Sequence, residues 1–151
     1  MANEFIARNG LVAQANSQIT GSLSQGSGIS TIGSASHAEG INTFSSGQYS
    51  HAEGNNTIAG GEASHAQGSG SIASGQYSHA EGEETTASGD GSHAEGYLSV
   101  AGGYTSHAEG VNTISSGSGS HTEGSSTIAS GVASHAEGRL TTAFSDYSHA
   151  E

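Results

Sequence analysis

The chain has 151 residues, with 25 glycines, no proline, cysteine or tryptophan, and a formal net charge of −12 from 14 acidic and two basic side chains. The absence of cysteine excludes disulfides, thiolate metal sites and cysteine nucleophiles, and so acidic a chain has no electrostatic basis for binding nucleic acid or an anionic membrane surface. Aromatic residues make up 5% of the sequence, so a broad core of large side chains is also excluded.

Residues 1–21 lie outside any repeat. Asn9-Gly10 stands between two short apolar segments, a pattern that predicts a hairpin. We expect this segment to cap the first turn of the structure that follows, or to dock it onto a preceding part of an assembly. A basic region followed by a long apolar run, typical of signal peptides, is absent, as is an apolar stretch of the roughly 18 residues that a membrane span needs. We therefore expect synthesis in the cytoplasm and no membrane insertion.

A repeat of 14 residues occupies the rest of the chain. Every histidine is preceded by serine and followed two positions later by glutamate, with one glutamine exception, and a glycine follows this position from Gly40 to Gly138. A fixed period of this kind indicates a repeat architecture. The histidines are His37, His51, His65, His79, His93, His107, His121, His135 and His149, and the residues two positions after them are Glu39, Glu53, Gln67, Glu81, Glu95, Glu109, Glu123, Glu137 and Glu151.

A second pentad lies halfway through each period, as in Thr57-Ile58-Ala59-Gly60-Gly61. Both pentads follow one rule: a small hydroxyl residue, a variable residue, Ala or Ser, a variable residue, Gly, and then two loose residues. The segment 22–26 fits the same frame and is interpreted as a degenerate first turn. The repeat domain is therefore predicted to span 22–151.

Seven residues of this kind predict a short strand and a tight turn. Strand side chains alternate between faces, so the small residues point inward, whereas His37, Glu39 and Phe44 point outward. The glycine that ends each pentad suits a positive φ at a corner. Two strands per 14 residues predict an all-β fold, a flattened parallel β-solenoid whose turns stack about 4.8 Å apart.

Two outward columns follow from this arrangement. One is the column of histidines and glutamates. The other is an apolar column in which Thr86 and Thr142 complete a series formed by Phe44, Ile58, Ile72, Val100, Ile114 and Ile128. A continuous exposed apolar column is a contact surface, and parallel sheets are usually covered on both faces. We therefore expect self-association of identical rods around a rotation axis.

The doubled unit [Ser/Thr]-x-Ala-x-Gly-x-x resembles the head repeat of YadA-type trimeric autotransporter adhesins, which also recurs in phage tail fibres. The resemblance covers about residues 22–151 and implies a left-handed β-roll assembled as a homotrimer around one axis. The usual pentad of that family resembles Ser-Val-Ala-Ile-Gly, with its two large apolar residues in the trimer core. His37 and Glu39, and their equivalents in later turns, occupy those two places here.

The conserved spacing of His and Glu within the chain favours a packed structural role. We interpret these residues as an axial column in which His and Glu of adjacent chains pair in every layer, which would raise the histidine pKa. The alternative is that the apolar column faces the axis and the His/Glu column faces solvent. Three symmetry-related histidines could also surround an ion, but the spacing selects no metal, so we expect neither a required metal nor a cofactor.

Two further chemistries are disfavoured. Adjacent strand residues point to opposite faces, so Ser36 and His37 cannot form the hydrogen-bonded pair of a catalytic triad, and we expect no catalytic residues and no enzymatic activity. An ice-binding face is suggested only by a threonine column that we place inside the roll. Its members are Thr43, Thr57, Thr85, Thr113, Thr127 and Thr141.

The predicted function is a rigid trimeric segment of a phage or phage-like tail fibre that attaches to a host cell surface. Its expected partners are copies of itself, other tail or fibre proteins at the N-terminal end, and a host receptor contacted through parts outside this chain. Because the sequence stops inside a pentad at Glu151, we expect the natural protein to continue. The alternatives are the head of a secreted adhesin on the bacterial surface, binding host glycan or matrix protein, and a metal-binding or ice-binding solenoid.

Overall fold

The computed structural model describes residues 23–151, and the hairpin predicted within 1–21 lies outside them. The described part contains nineteen β-strands, and it includes no helix capable of crossing a membrane. The strands are β1 (Leu23–Ser27), β2 (Ser30–Thr31), β3 (His37–Ile41), β4 (Phe44–Ser45), β5 (His51–Asn55), β6 (Ile58–Ala59), β7 (His65–Ser69), β8 (Ile72–Ala73), β9 (His79–Glu83), β10 (Thr86–Ala87), β11 (His93–Tyr97), β12 (Val100–Ala101), β13 (His107–Val111), β14 (Ile114–Ser115), β15 (His121–Thr122), β16 (Ile128–Ala129), β17 (His135–Ala136), β18 (Thr142–Ala143) and β19 (His149–Ala150).

The strands alternate between two parallel sheets. Odd-numbered strands form a ten-stranded sheet in chain order, and even-numbered strands form a nine-stranded sheet. Each strand pairs with the strand 14 residues away, so that His37 lies opposite His51 and Phe44 lies opposite Ile58. Each period of 14 residues is thus one rung of a parallel β-solenoid, which confirms the predicted all-β solenoid with 14-residue turns. We call the two outer surfaces the histidine face (odd strands) and the aliphatic face (even strands).

The degenerate first turn also has the predicted register. Strand β1 pairs with β3, with Leu23 opposite His37 and Gly26 opposite Gly40. The last three strands of the histidine face are only two residues long, and isolated bridges at Ser125 continue the pairing beside them. The rung spacing therefore persists to the end of the described residues even where the regular strands shorten.

The interior consists of small side chains, as the alternation predicts. Alanines from both sheets are buried and form the apolar part of the core. Buried serines and threonines complete it, and the threonines of the predicted column from Thr43 to Thr127 are inaccessible to solvent. Because these threonines face inward, they cannot order water at a surface, which removes the basis of the ice-binding alternative.

The serine before each histidine has a role that its size alone did not indicate. In every rung except that of Ser92, whose Oγ forms no hydrogen bond, its hydroxyl donates a hydrogen bond to the backbone carbonyl three residues earlier, as Ser78 Oγ does to Gly75 O at 2.7 Å. A buried carbonyl at the turn is thereby satisfied. The same bond is made by Ser36, Ser50, Ser64, Ser106, Ser120, Ser134 and Ser148.

The residue that adopts a positive φ in each turn is not always the predicted one. Glycines that follow the glutamate position do so, for example Gly40 at 118°. Glycines that end the second pentad, such as Gly61, do not. The second loose residue of each turn adopts the left-handed conformation instead, with Asn56 at 57° and Tyr77 at 57°. The expectation of a corner glycine is therefore correct for one pentad and wrong for the other.

The second-pentad glycines are required by contact between rungs. A Cβ built on Gly61 would overlap the carbonyl oxygen of Gly75 in the next rung, and one built on Gly103 would overlap that of Gly117. The neighbouring glycines have space: the nearest atom to a Cβ on Gly60 is 3.8 Å away. Close backbone approach, rather than backbone conformation, thus fixes glycine at this corner.

Candidate functional site

The histidine column and the glutamate column lie side by side on the histidine face. Each histidine is the first residue of an odd-numbered strand, and its glutamate or glutamine partner lies two residues later, inside the strand as far as β13 and just after it in β15, β17 and β19. Both side chains therefore project from the same side of the sheet. Parallel in-register pairing then places identical residues directly above one another. The sequence-predicted site residues are therefore brought together as two continuous columns, from His37 to His149 and from Glu39 to Glu151.

The imidazole rings stack along the whole column. All eight consecutive pairs have ring centroids 4.7–4.8 Å apart, and their planes agree to within 2–18°. The centroid spacing matches the spacing of adjacent strands in a sheet. The stack therefore follows directly from the register, and each ring covers the faces of its two neighbours.

Histidine and glutamate approach one another at intermediate distances. In the same rung, His79 Nε2 lies 3.4 Å from Glu81 Oε2, and the equivalent separations elsewhere reach 3.9 Å. Contacts between rungs also occur, since His149 Nε2 lies 3.1 Å from Glu137 Oε1. In both columns about a third of each side chain remains exposed in most rungs, so the pairs lie at a half-covered surface.

Burial lowers the pKa of the central histidines, from His51 to His121, contrary to the expectation that glutamate would raise it. For His79 the largest cause is desolvation, followed by repulsion from the neighbouring His93, and both outweigh the attraction of Glu81 and Glu95. The same order of causes lowers the pKa of His65, His93, His107 and His121. These central histidines are consequently biased toward neutral imidazole at pH 7.

Eight of the nine histidine rings, all those preceding His149, have an Nε2 atom that is shielded from solvent and has no hydrogen-bond partner. An unpaired buried polar atom is costly. These atoms are His37, His51, His65, His79, His93, His107, His121 and His135 Nε2.

Within the glutamate column, Glu109 holds a proton more tightly than its two neighbours. Hydrogen bonding to Glu95, then burial and hydrogen bonding to Glu123, raise the pKa of Glu109 to about 7. Hydrogen bonding from Glu109 is the main cause that lowers the pKa of Glu95, and hydrogen bonds from Glu137 and Glu109 lower that of Glu123. A protonated Glu109 between two ionised neighbours relieves the repulsion that stacked carboxylates would otherwise create.

Gln67 relieves the same repulsion without a proton. Its Nε2 donates a hydrogen bond to Glu53 Oε1 at 2.5 Å across one rung. The amide contributes a donor and no charge at a position where a carboxylate would have faced another carboxylate. Thus the one exception to the repeat has a local electrostatic role.

A groove runs beside the glutamates. Its walls are formed by Glu81, Glu95, Glu109 and Glu123, and its floor by the glycine that follows each acidic position. Three groups of side chains beside it offer ligand atoms that lie within 4.8 Å of one another. These groups are His107–Glu109–His121, Glu123–His135–Glu137 and Glu137–His149–Glu151.

Comparison with known proteins agrees with this geometry. The model of the YadA head domain repeat, which comprises two copies of the repeat, matches five overlapping segments, 38–61, 52–78, 66–92, 80–106 and 94–120. Together they cover 38–120, more than half of the chain. The chain belongs to the YadA head repeat family. Comparison with curated proteins gives no match.

The aliphatic face of this YadA head repeat chain also carries its predicted column. Phe44, Ile58 and Ile114 are 37–43% exposed in the single chain, and the other members lie in register with them. Further along, a shallow groove on this face is lined by Ile114, Ile128 and Thr142 together with three loop residues, Asn112, Ser126 and Leu140. An apolar strip thus lies opposite the histidine face along the rod.

Each serine and the histidine that follows it point to opposite sides of the sheet. Ser50 and Ser106 are buried in the interior, where their hydroxyls bind turn carbonyls, whereas His51 and His107 lie on the outer surface. The hydroxyl groups therefore have a structural role in the turn. Sequence reasoning identified the separation of the two side chains but missed this bond, although the constant spacing from glycine to serine is a signal for it.

Proposed function

We propose that this chain is a rigid segment of a homotrimeric attachment fibre, in which three left-handed β-rolls pack around one axis. Membership of the YadA head repeat family supports this proposal, since head domains of that family are generally trimeric. The composition of the interior supports it further. A core made of Ala, Ser and Thr buries little apolar area per rung, so contacts between chains would supply stabilisation that a single chain lacks.

The histidine face is the surface that we place on the axis. The His and Glu positions match the two positions that carry large apolar residues in the usual family pentad. Their identity is also nearly constant along the chain, whereas the loose turn positions vary from Asn55-Asn56 to Tyr97-Leu98. This constancy is the observation that carries the placement. The lowered pKa of the central histidines supports it, because neutral imidazoles are easier to bury than ionised ones.

Two cysteine variants of one rung test the placement. The natural chain contains no cysteine, and His107 and Ile114 lie on opposite faces of the same rung. On the axis, His107→Cys brings thiols of different chains together, so mild oxidation should yield covalent dimers in denaturing gels. Ile114→Cys, the matched control, should remain monomeric under the same conditions. The reverse pattern would place the aliphatic face on the axis. If neither variant formed covalent dimers, that result would contradict a closed assembly about either face.

The biological setting that we propose is attachment to a cell surface, in a phage or phage-like tail fibre. The repeat supports a role as a spacer, because a continuous hydrogen-bonded ladder of 14-residue rungs makes a stiff rod. In that setting the N-terminal end would contact other fibre proteins. The neighbouring genes test it: a tail fibre should be encoded among tail genes, whereas a leader and a membrane anchor in the complete gene would assign it to the bacterial cell surface.

Exposed tyrosines favour a second candidate, an adhesin head that binds a host glycan or matrix protein directly. Tyr49, Tyr77 and Tyr147 occupy the same turn position in different rungs and are 58–81% exposed. Aromatic side chains with an apolar ring and a polar tip are common in binding surfaces. Binding of the isolated chain to a glycan or matrix array, lost in a Tyr49→Ala/Tyr77→Ala variant, would support direct recognition, and absence of binding would favour the spacer.

A further inference from the structure

We propose that Glu123, His135 and Glu137 form a binding site for one divalent first-row transition metal ion of the Zn²⁺ class. His135 begins β17, Glu137 is two residues later on the same face, and Glu123 comes from the preceding rung. Each offers one ligand atom, and the three atoms lie within 4.8 Å of one another. The site belongs to a single chain, so it does not depend on the proposed trimer.

The spacing of histidine and glutamate fits two ligands of one ion. Zinc binds imidazole nitrogen and carboxylate oxygen at about 2.0–2.2 Å, so two such ligands in tetrahedral geometry lie roughly 3.4 Å apart. His79 Nε2 and Glu81 Oε2 are 3.4 Å apart, and His37 and Glu39 place the same atoms 3.6 Å apart. At the proposed site the ligand atoms of His135 and Glu137 lie within 4.8 Å of each other, and rotation of these side chains would bring them to the separation seen in those two rungs.

The ring stack determines which cluster can bind. The rings of His107 and His121 are 4.8 Å apart and parallel to within 6°. Because the lone pair of an imidazole nitrogen lies in the ring plane, two parallel rings in different planes cannot both direct lone pairs at one ion. The cluster of His107, Glu109 and His121 is therefore unsuitable. One imidazole between carboxylates of two rungs avoids this conflict.

The nitrogen ligand is also chemically available, and Glu137 has a second carboxylate oxygen besides Oε1, which contacts His149 Nε2 at 3.1 Å. His135 Nε2 is buried and forms no hydrogen bond, so coordination would satisfy an atom that the fold leaves unpaired. Two carboxylates supply negative charge, and imidazole with carboxylate ligands suits zinc and similar ions. Glu137 also belongs to the cluster with His149 and Glu151. The two clusters share Glu137 and lie one rung apart. Two bound ions would therefore repel each other, so only one of the two clusters would hold an ion.

Titration of the untagged full chain with Zn²⁺ by isothermal calorimetry at pH 7.5 tests the site. We expect the parent chain to bind Zn²⁺ saturably. In the Glu123→Gln/Glu137→Gln variant, the affinity should fall at least tenfold, or the number of ions bound per chain should fall by about one. The matched control is Glu83→Gln/Glu84→Gln, which removes two exposed carboxylates outside the column and should bind Zn²⁺ like the parent. Absorption of bound Co²⁺ should show tetrahedral coordination in the parent and weaken in the column variant.

Two comparisons keep the test decisive. His135→Gln preserves every carboxylate and should reduce Zn²⁺ binding as the double variant does, and circular dichroism establishes that each variant keeps its β-structure. Equal loss of binding in the control variant would show that general acidity attracts the ion and would overturn the proposal. Equal binding by parent and column variants, or absence of saturable binding by the parent, would overturn it as well.

Discussion

The ring of His93 lies 4.8 Å from the ring of His107, and their planes are parallel to within 4°. This stack shields one face of each imidazole from water and places two ionisable groups in contact. Burial first, and repulsion by His107 second, lower the pKa of His93 below its ordinary value of 6.5. Stacking therefore explains why the nearby Glu95 and Glu81 fail to raise it.

We expect the fold to lose stability as the pH falls below 6.5. A histidine whose pKa is lower in the folded chain binds more protons when unfolded, so acid favours unfolding between the unfolded and folded values. His51, His65, His79, His93, His107 and His121 all contribute in this direction. The raised pKa of Glu109 opposes them, but as a single group.

Thermal unfolding followed by circular dichroism at pH 8.0 and pH 5.5, in buffer with a chelator, measures this effect. The midpoint should be lower at pH 5.5. Substitution of two central histidines, His79→Gln and His93→Gln, should reduce the difference between the two midpoints. A higher midpoint at pH 5.5 would indicate that pairing with glutamate dominates over desolvation.

Charge spacing within the glutamate column yields a second prediction. Gln67→Glu removes the hydrogen bond from Gln67 to Glu53 and stacks another carboxylate, so the chain should become less stable at pH 8 by about 0.5–1 kcal/mol, the scale of cross-strand charge effects. Glu109→Gln reproduces the Gln67 arrangement and should stabilise the chain at pH 8. Urea unfolding of both variants measures these changes in stability. A more stable Gln67→Glu chain together with a less stable Glu109→Gln chain would contradict proton sharing within the column.

Two adjacent glycines provide a sharp test of rung contact. Gly61→Ala would press a methyl group onto the carbonyl of Gly75, whereas Gly60→Ala would place it 3.8 Å from the nearest atom. Neither glycine has a positive φ, so backbone strain does not distinguish them. We expect Gly61→Ala to cost about 2–3 kcal/mol or more, as overpacking does, and Gly60→Ala to be close to neutral. Similar midpoints in thermal unfolding would contradict the stacking of these corners.

The turn serines can be tested in the same way. Ser78→Ala removes the hydroxyl that donates to Gly75 O at 2.7 Å and leaves that carbonyl without this donor, so we expect a loss of about 1–2 kcal/mol. Ser74→Ala, at an exposed position of the same rung, should change stability by less than about 0.5 kcal/mol. Chemical unfolding of the two variants gives the comparison. Equal stability would mean that the hydroxyl bond contributes little.

Much of the fold could be predicted from spacing alone. The constant 14-residue interval between His37 and His51 fixes the parallel register, and alternation around Ala38 distinguishes interior from surface. These features depend on periodicity, which a sequence displays directly. The two outer columns follow from the same rule, because any residue repeated at this interval must lie above its copy.

Other features depend on interactions that periodicity does not contain. The left-handed conformation of Tyr77 is set by turn geometry, although tyrosine shows no preference for it. The lowered pKa of His93 reflects desolvation in the stack, whereas the sequence displays only its glutamate neighbours. The proton shared around Glu109 likewise depends on distances between rungs.

The mass of the chain in solution, measured by light scattering coupled to gel filtration, tests the account most directly. A solenoid with exposed columns on both faces should assemble from three chains, so the expected mass is about 44 kDa, three times the chain mass of 14.8 kDa. A β-rich particle of 14.8 kDa that persists at high concentration would contradict the account, since the rod would then be stable alone.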